Sequence, residues 1–132
     1  MRTYYAIVEK DPESAFGVTF PDLPTVFSAA DEEEKIIPNA IEALRLWAED
    51  EELPRPSRLD EVLSIAEARE RLAAGAFIVR VPVIEDDSRV VRVNLTMEAG
   101  TLKAIDAAAE KRGLTRSAFL ASCARKEIEG TA

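Results

Sequence analysis

The sequence of 132 residues contains no histidine and a single cysteine. Without histidine, no imidazole is available as general base, nucleophile or metal ligand. One cysteine makes neither an intrachain disulfide nor a zinc cluster, which is the usage of a reducing compartment such as the cytoplasm. Aromatic residues make up only 6% of the chain, and no apolar run approaches the roughly 20 residues a membrane helix needs. No basic-then-apolar segment of the secretory kind opens the chain. What is abundant is charge. Asp, Glu, Lys and Arg account for 32% of residues and hydrophobic residues for 47%, a globular composition. A net charge of −8, taken whole, argues against nucleic acid as a partner.

Division of the chain at Asp87/Ser88 reverses that reading. Residues 1–87 carry 20 acidic and 9 basic side chains, a net of −11, whereas residues 88–132 carry 5 and 8, a net of +3. An acidic body joined to a basic piece suggests two partners, with nucleic acid the natural one for the second.

The pattern predicts elements in the order β-β-β-α-(α)-β over residues 1–84. Residues 3–9 and 16–21 read as strands joined by an Asp11-Pro12 turn. After a break at Asp22-Leu23-Pro24, residues 25–29 make a short third strand. Asp31 is expected as an N-cap with Glu34 completing a capping box, and the acids of that turn suit the helix dipole. Ile37, Ile41, Leu44 and Ala48 then mark one face of a helix reaching about residue 52, with Pro38 either kinking it or marking a restart. Beyond the LPRPS connector, residues 58–74 read as one more helix ending at Gly75. Residues 76–84 form a fourth strand, apolar on both faces and so expected inside the sheet, although Pro82 must fall where no ladder donor is needed. EDDS, residues 85–88, is the linker.

The last 44 residues are patterned more sharply. Val91, Val93, Leu95 and Met97 alternate with Arg92, Asn94 and Thr96, a strand with one apolar and one polar face. A helix over residues 98–112 presents Leu102, Ile105, Ala108 and Ala109, and Gly113 ends it. Thr115 caps a second helix, residues 116–127, whose Phe119, Leu120, Cys123 and Ala124 are expected to pack. Strand, helix, turn and helix enclose no core alone. Antiparallel pairing with a second copy closes the ladder and buries Val91, Val93, Leu95, Met97, Leu102, Ile105, Phe119 and Leu120. The polar ribbon then carries Arg92, Asn94 and Thr96 from each chain and fits a DNA major groove, where arginine reads guanine and asparagine reads adenine. Thr115, Arg116 and Ser117 offer amides and a positive helix end to phosphate.

The stretch RVNLTMEAGTLKAIDAAAEKRGLTRSAFLASCARKEI resembles ribbon-helix-helix DNA-binding domains. The N-terminal features, YYAIVEKD, FGVTFPDLP, and FSAAD leading into a helix ending LRLWAED, resemble the HicB family of bacterial antitoxins. EEEKIIPN departs from the continuous helix expected there. The resemblance implies an α+β chain: a partial ribonuclease-H-like domain over residues 1–84 that binds a small basic HicA-type ribonuclease toxin, and a dimeric ribbon-helix-helix over residues 89–132 that represses its own operon by binding operator DNA. It implies a homodimer, with a tetramer left open; the residues themselves point to neither cofactor nor metal. The −11 body suits a basic toxin.

Bland readings compete. Glu9, Asp11, Asp22 and Asp31 lie near strand ends, but turn and cap chemistry accounts for Asp11, Asp22 and Asp31, so retained nuclease activity is not expected. The run Asp31 to Glu34 reads as dipole compensation before it reads as a metal site. Glu9, Asp22 and Trp47 are the residues assigned to toxin contact, although Trp47 at helical spacing also fits a core. The rival function is a stand-alone repressor whose N-terminal domain senses a small molecule.

Overall fold

The computed structural model describes residues 1–84, 87 and 89–130, which divide into two units, the second beginning at Asp87. Of the linker expected at residues 85–88, only Asp87 is among the described residues.

The first unit is built on strands β1 (Arg2–Lys10), β2 (Phe16–Phe20), β3 (Leu23–Ala30) and β4 (Phe77–Val83). They form one antiparallel sheet in the order β3-β2-β1-β4. The break between β2 and β3 is narrower than expected: Phe20 pairs with Leu23 across Pro21 and Asp22, and Leu23 and Pro24 already belong to β3. Alternation assigns Tyr4, Ala6, Val8, Val18, Phe20, Val26, Ala30, Val81 and Val83 to one face, all buried. Helix α1 (Ile36–Ala48) covers that face with Ile36, Ala40, Ile41 and Leu44, the spacing of a single helical stripe. Asn39 fastens it by donating from Nδ2 to the Ala29 carbonyl at 2.8 Å.

The start of α1 corrects the expected N-cap. Asp31 does not cap the helix, and no Asp31/Glu34 box forms. A 3₁₀ turn, Glu33–Lys35, comes first, and α1 begins at Ile36 without a side-chain cap. Pro38 explains the shift. At the third helical position its missing N–H is among the four that have no intrahelical acceptor, whereas a start at residue 32 would put it deeper in the ladder. The helix also stops at Ala48, short of residue 52.

Residues 58–74 are not one helix. They break into α2 (Leu59–Leu63) and α3 (Ala66–Ala73) at Ser64 and Ile65, where the Ser64 hydroxyl donates to the Glu61 carbonyl at 2.6 Å. Gly75 closes α3 with φ +109°: its N–H reaches the Leu72 carbonyl and that of Ala76 the Arg71 carbonyl, each at 3.1 Å. This double bond pattern needs a left-handed residue at its centre.

The position of β4 is a further correction. It is an edge strand, beside β1 only. Its two-sided apolar pattern reflects a sheet covered on both faces. On the second face Ile7 is 1% exposed, and Arg71 of α3 reaches across to Glu9 and Thr19. An edge strand also tolerates Pro82, since half of its backbone groups need no ladder partner.

In the second unit, α4 (Ala99–Lys111) and α5 (Arg116–Gly130) meet at Gly113, φ +66°. Gly113 and Leu114 donate to the Glu110 and Ala109 carbonyls at 3.0 and 2.9 Å, the same closure as at Gly75. The expected strand over residues 89–97 is absent: residues 89–98 carry no regular structure. A strand consists of a hydrogen-bond ladder, and nothing among the described residues pairs with this segment. Cys123, expected to be buried on the apolar face of the last helix, is exposed, since two helices alone enclose no core.

Candidate nucleic-acid and partner interfaces

In the second unit only Ala109 is buried among the described residues. Val91, Val93 and Leu95 are exposed, and Met97, Leu102, Ile105, Phe119 and Leu120 are half-buried. Every residue assigned to a dimer core is therefore at least partly open in the single chain. Arg92, Asn94 and Thr96 are exposed as well. A cleft of about 490 Å³ brings many of these residues together, lined by residues 93–97, Leu102, Arg116, Ser117 and Leu120. Asn94 and Thr96 thus share one concavity with two of the three residues assigned to phosphate; Arg92 and Thr115 lie outside its lining.

Thr115 does cap α5, its Oγ1 accepting the Ala118 N–H at 3.1 Å. Arg116 follows as the first helical residue, and its Nε and Nη2 donate to the two carboxylate oxygens of Asp106 at 2.8 Å each. These hydrogen bonds hold the Asp106 carboxyl below the usual aspartate range and the Arg116 guanidinium above its ordinary value. Asp106 was not singled out from sequence. The available signal is its position on α4, two turns before Gly113, where a helical hairpin turns α5 back toward it. A second tie between the helices is Arg112 over the Phe119 ring, 5.8 Å from its centroid.

In the first unit, two of the three residues assigned to toxin contact have internal partners. Glu9 forms an ion pair with Arg71, which also donates to Thr19 Oγ1 at 2.8 Å. Asp22 accepts from the Ser57 N–H at 2.8 Å and from the Ser57 hydroxyl at 2.5 Å. Tyr4, fully buried, donates its hydroxyl to the Pro54 carbonyl at 2.5 Å, so the LPRPS connector is strapped to the sheet at both ends. Trp47 is half-buried against the core cluster. Ser57 and Arg71 are the partners that spacing alone did not reveal, being 35 and 62 residues away from Asp22 and Glu9.

A second cleft, of about 270 Å³, lies between the outer sheet face and α3, lined by Ile7, Phe20, Phe27, Ile65 and Arg71 among others. Among the described residues no group of three or more acidic or cysteine side chains could hold a metal ion, so the Asp31 to Glu34 run does not converge. No helix among them is long and apolar enough to cross a membrane.

An acidic α+β unit followed by a basic helical hairpin whose apolar residues lack cover has the make-up of a binding protein. Comparison with known families sharpens this. Residues 4–124 match the model described as HicB-like antitoxin of bacterial toxin-antitoxin system. The chain is similar to the crystal structure of Burkholderia pseudomallei antitoxin HicB at 30% identity and a TM-score of 0.52, covering 100% of both chains. It is also similar to the antitoxin HicB3 crystal structure, at 31% identity and a TM-score of 0.47 over 96% of this chain and 97% of that one. A HicA3 and HicB3 toxin-antitoxin complex matches at 25% identity and a TM-score of 0.49, over 63% of this chain and 99% of that one. Among curated proteins no sequence matches. The chain belongs to the HicB-like antitoxin family and is not an enzyme.

Proposed function

We propose that this antitoxin acts at two places: its acidic unit neutralises a small co-encoded HicA-type ribonuclease, and its C-terminal unit, as a ribbon-helix-helix dimer, represses its own operon. The toxin half follows from family membership and from the charge of −11 over residues 1–87, which attracts and can occlude a basic RNA-binding face. Glu9, Asp22 and Trp47 are the first residues to test there, the two acids acting from positions already fixed by Arg71 and Ser57.

The DNA half rests on one observation. Val91, Val93 and Leu95 alternate with Arg92, Asn94 and Thr96 on a segment with no ladder in the single chain, and the three apolar residues stand exposed. A second copy of the segment supplies both the missing hydrogen bonds and the missing cover. The polar side chains then lie on one ribbon, Arg92, Asn94 and Thr96 reading bases while Thr115, Arg116 and Ser117 hold phosphate.

The test uses the full chain. Any short basic reading frame that adjoins its gene should, on co-expression, yield a complex on pull-down, and the free protein should shift a duplex carrying its own promoter. Absence of a complex at micromolar concentration refutes the toxin half. Equal affinity for promoter and unrelated DNA refutes operator recognition.

A further inference from the structure

We infer that Asp106 is a specificity-determining residue for DNA binding: by clamping Arg116 bidentately it aims the guanidinium while cancelling its charge, and so suppresses attachment to DNA of the wrong sequence. The inference rests on the DNA-binding reading above. Its observation is the pair itself. Arg116 Nε and Nη2 donate to the two Asp106 oxygens at 2.8 Å. Guanidinium has five N–H donors, so the clamp leaves three unspent, two of them on the Nη1–Nη2 edge. Both side chains are about half exposed, and Arg116 lines the cleft shared with Asn94 and Thr96. Phosphate can therefore reach the open edge without breaking the pair.

Two consequences separate this arrangement from a free arginine. A clamped guanidinium is held in one orientation, so it rewards phosphate only where the duplex is docked in register. The pair also carries no net charge, so it releases little of the counterion atmosphere on which sequence-independent affinity depends. An unclamped arginine does the reverse. It follows any phosphate and adds its full charge to non-specific binding. At neutral pH the Asp106 carboxyl is ionised, its pKa lowered by the Arg116 hydrogen bonds, so the clamp has both of its charges.

The experiment measures full-length protein by fluorescence anisotropy on two duplexes, one carrying its own promoter and one of unrelated mixed sequence, across a series of KCl concentrations. Asp106→Asn should tighten binding to the unrelated duplex. Its log K against log salt slope should steepen by about 0.9 per protomer, nearly tenfold in affinity per protomer at about 0.1 M salt. The ratio of promoter to unrelated affinity should fall. Asp106→Glu keeps the charge and should keep the wild-type slope. Arg116→Ala bares the carboxylate beside phosphate and should bind more weakly than the Asp106→Asn/Arg116→Ala double variant.

A purely structural tie between α4 and α5 predicts otherwise: Asp106→Asn would lower Tm and leave the slope unchanged, which overturns the inference while DNA binding stands. If Asp106→Asn does not fold, the comparison of Arg116→Ala with the double variant made with Asp106→Ser decides, and equal or weaker binding by the double variant overturns it. A wild-type protein that binds neither duplex refutes the DNA-binding reading and this one with it.

Discussion

Val93→Asp is the sharpest probe of the proposed dimer. Val91, Val93 and Leu95 are 73%, 69% and 65% exposed in the single chain. Full burial of a valine or leucine is worth about 1.5–3 kcal/mol, so covering the open two-thirds of Val93 contributes roughly 1–2 kcal/mol per chain. Two-fold symmetry doubles the loss, to about 2–4 kcal/mol for the dimer, before the cost of desolvating two carboxylates. At about 1.4 kcal/mol per decade, the dimer dissociation constant should rise at least about 30-fold. Sedimentation velocity over a dilution series reads this directly. Thr96→Ala, on the opposite face of the same segment, should leave the dimer intact. An unchanged dissociation constant for Val93→Asp, or equal dissociation caused by Thr96→Ala, refutes the reasoning.

Arg92→Ala and Asn94→Ala should each weaken promoter binding by about 1–3 kcal/mol in a titration, with circular dichroism unchanged. Gly113→Ala places a Cβ at φ +66° and should cost about 1 kcal/mol in a denaturant melt, although no atom lies within 4 Å to clash with it. Asp106 should titrate, by carboxyl ¹³C NMR, below the usual aspartate value of about 3.9 and return to it in Arg116→Ala. A depressed carboxyl contributes stability above its unfolded value and loses it as pH falls through the folded one. The α4–α5 tie should therefore persist through neutral pH and weaken only as pH falls below the ordinary aspartate value of about 3.9. Asp22→Ala removes both bonds to Ser57 and should cost about 1–2 kcal/mol, with faster hydrogen exchange across residues 54–58.

The first unit was legible where periodicity decides. Tyr4, Ala6 and Val8, and Ile41 and Leu44, repeat at strand and helix spacing and are buried as that spacing requires. Boundaries set by competition between local signals were not. Asp31 and Glu34 make a plausible cap, but Pro38 counts backbone donors more strictly, and the helix begins where its missing N–H costs nothing. Strand order was illegible for another reason. An apolar pair of faces on residues 77–83 says that both faces are covered, and says nothing of how many strands lie beside them. Long-range polar contacts such as Glu9 with Arg71 leave no periodic trace at all.

The second unit differs in kind. Its helices formed where the spacing of their apolar residues and Gly113 foretold, α5 running on to Gly130 rather than 127, because helix and turn hydrogen bonds close within one chain. The strand and the cover for Cys123 did not, and the distinction is physical. Alternation is a property of a sequence, whereas a ladder is a property of a pair of segments, and an eight-stranded sheet or a two-stranded ribbon alike begins with a partner. Residues 89–97 hold the apolar side chains of a strand and none of its hydrogen bonds. Exposed valines on a segment otherwise patterned for pairing carry a free-energy cost that a second copy of the same segment would remove, which is the physical ground on which the dimer is proposed.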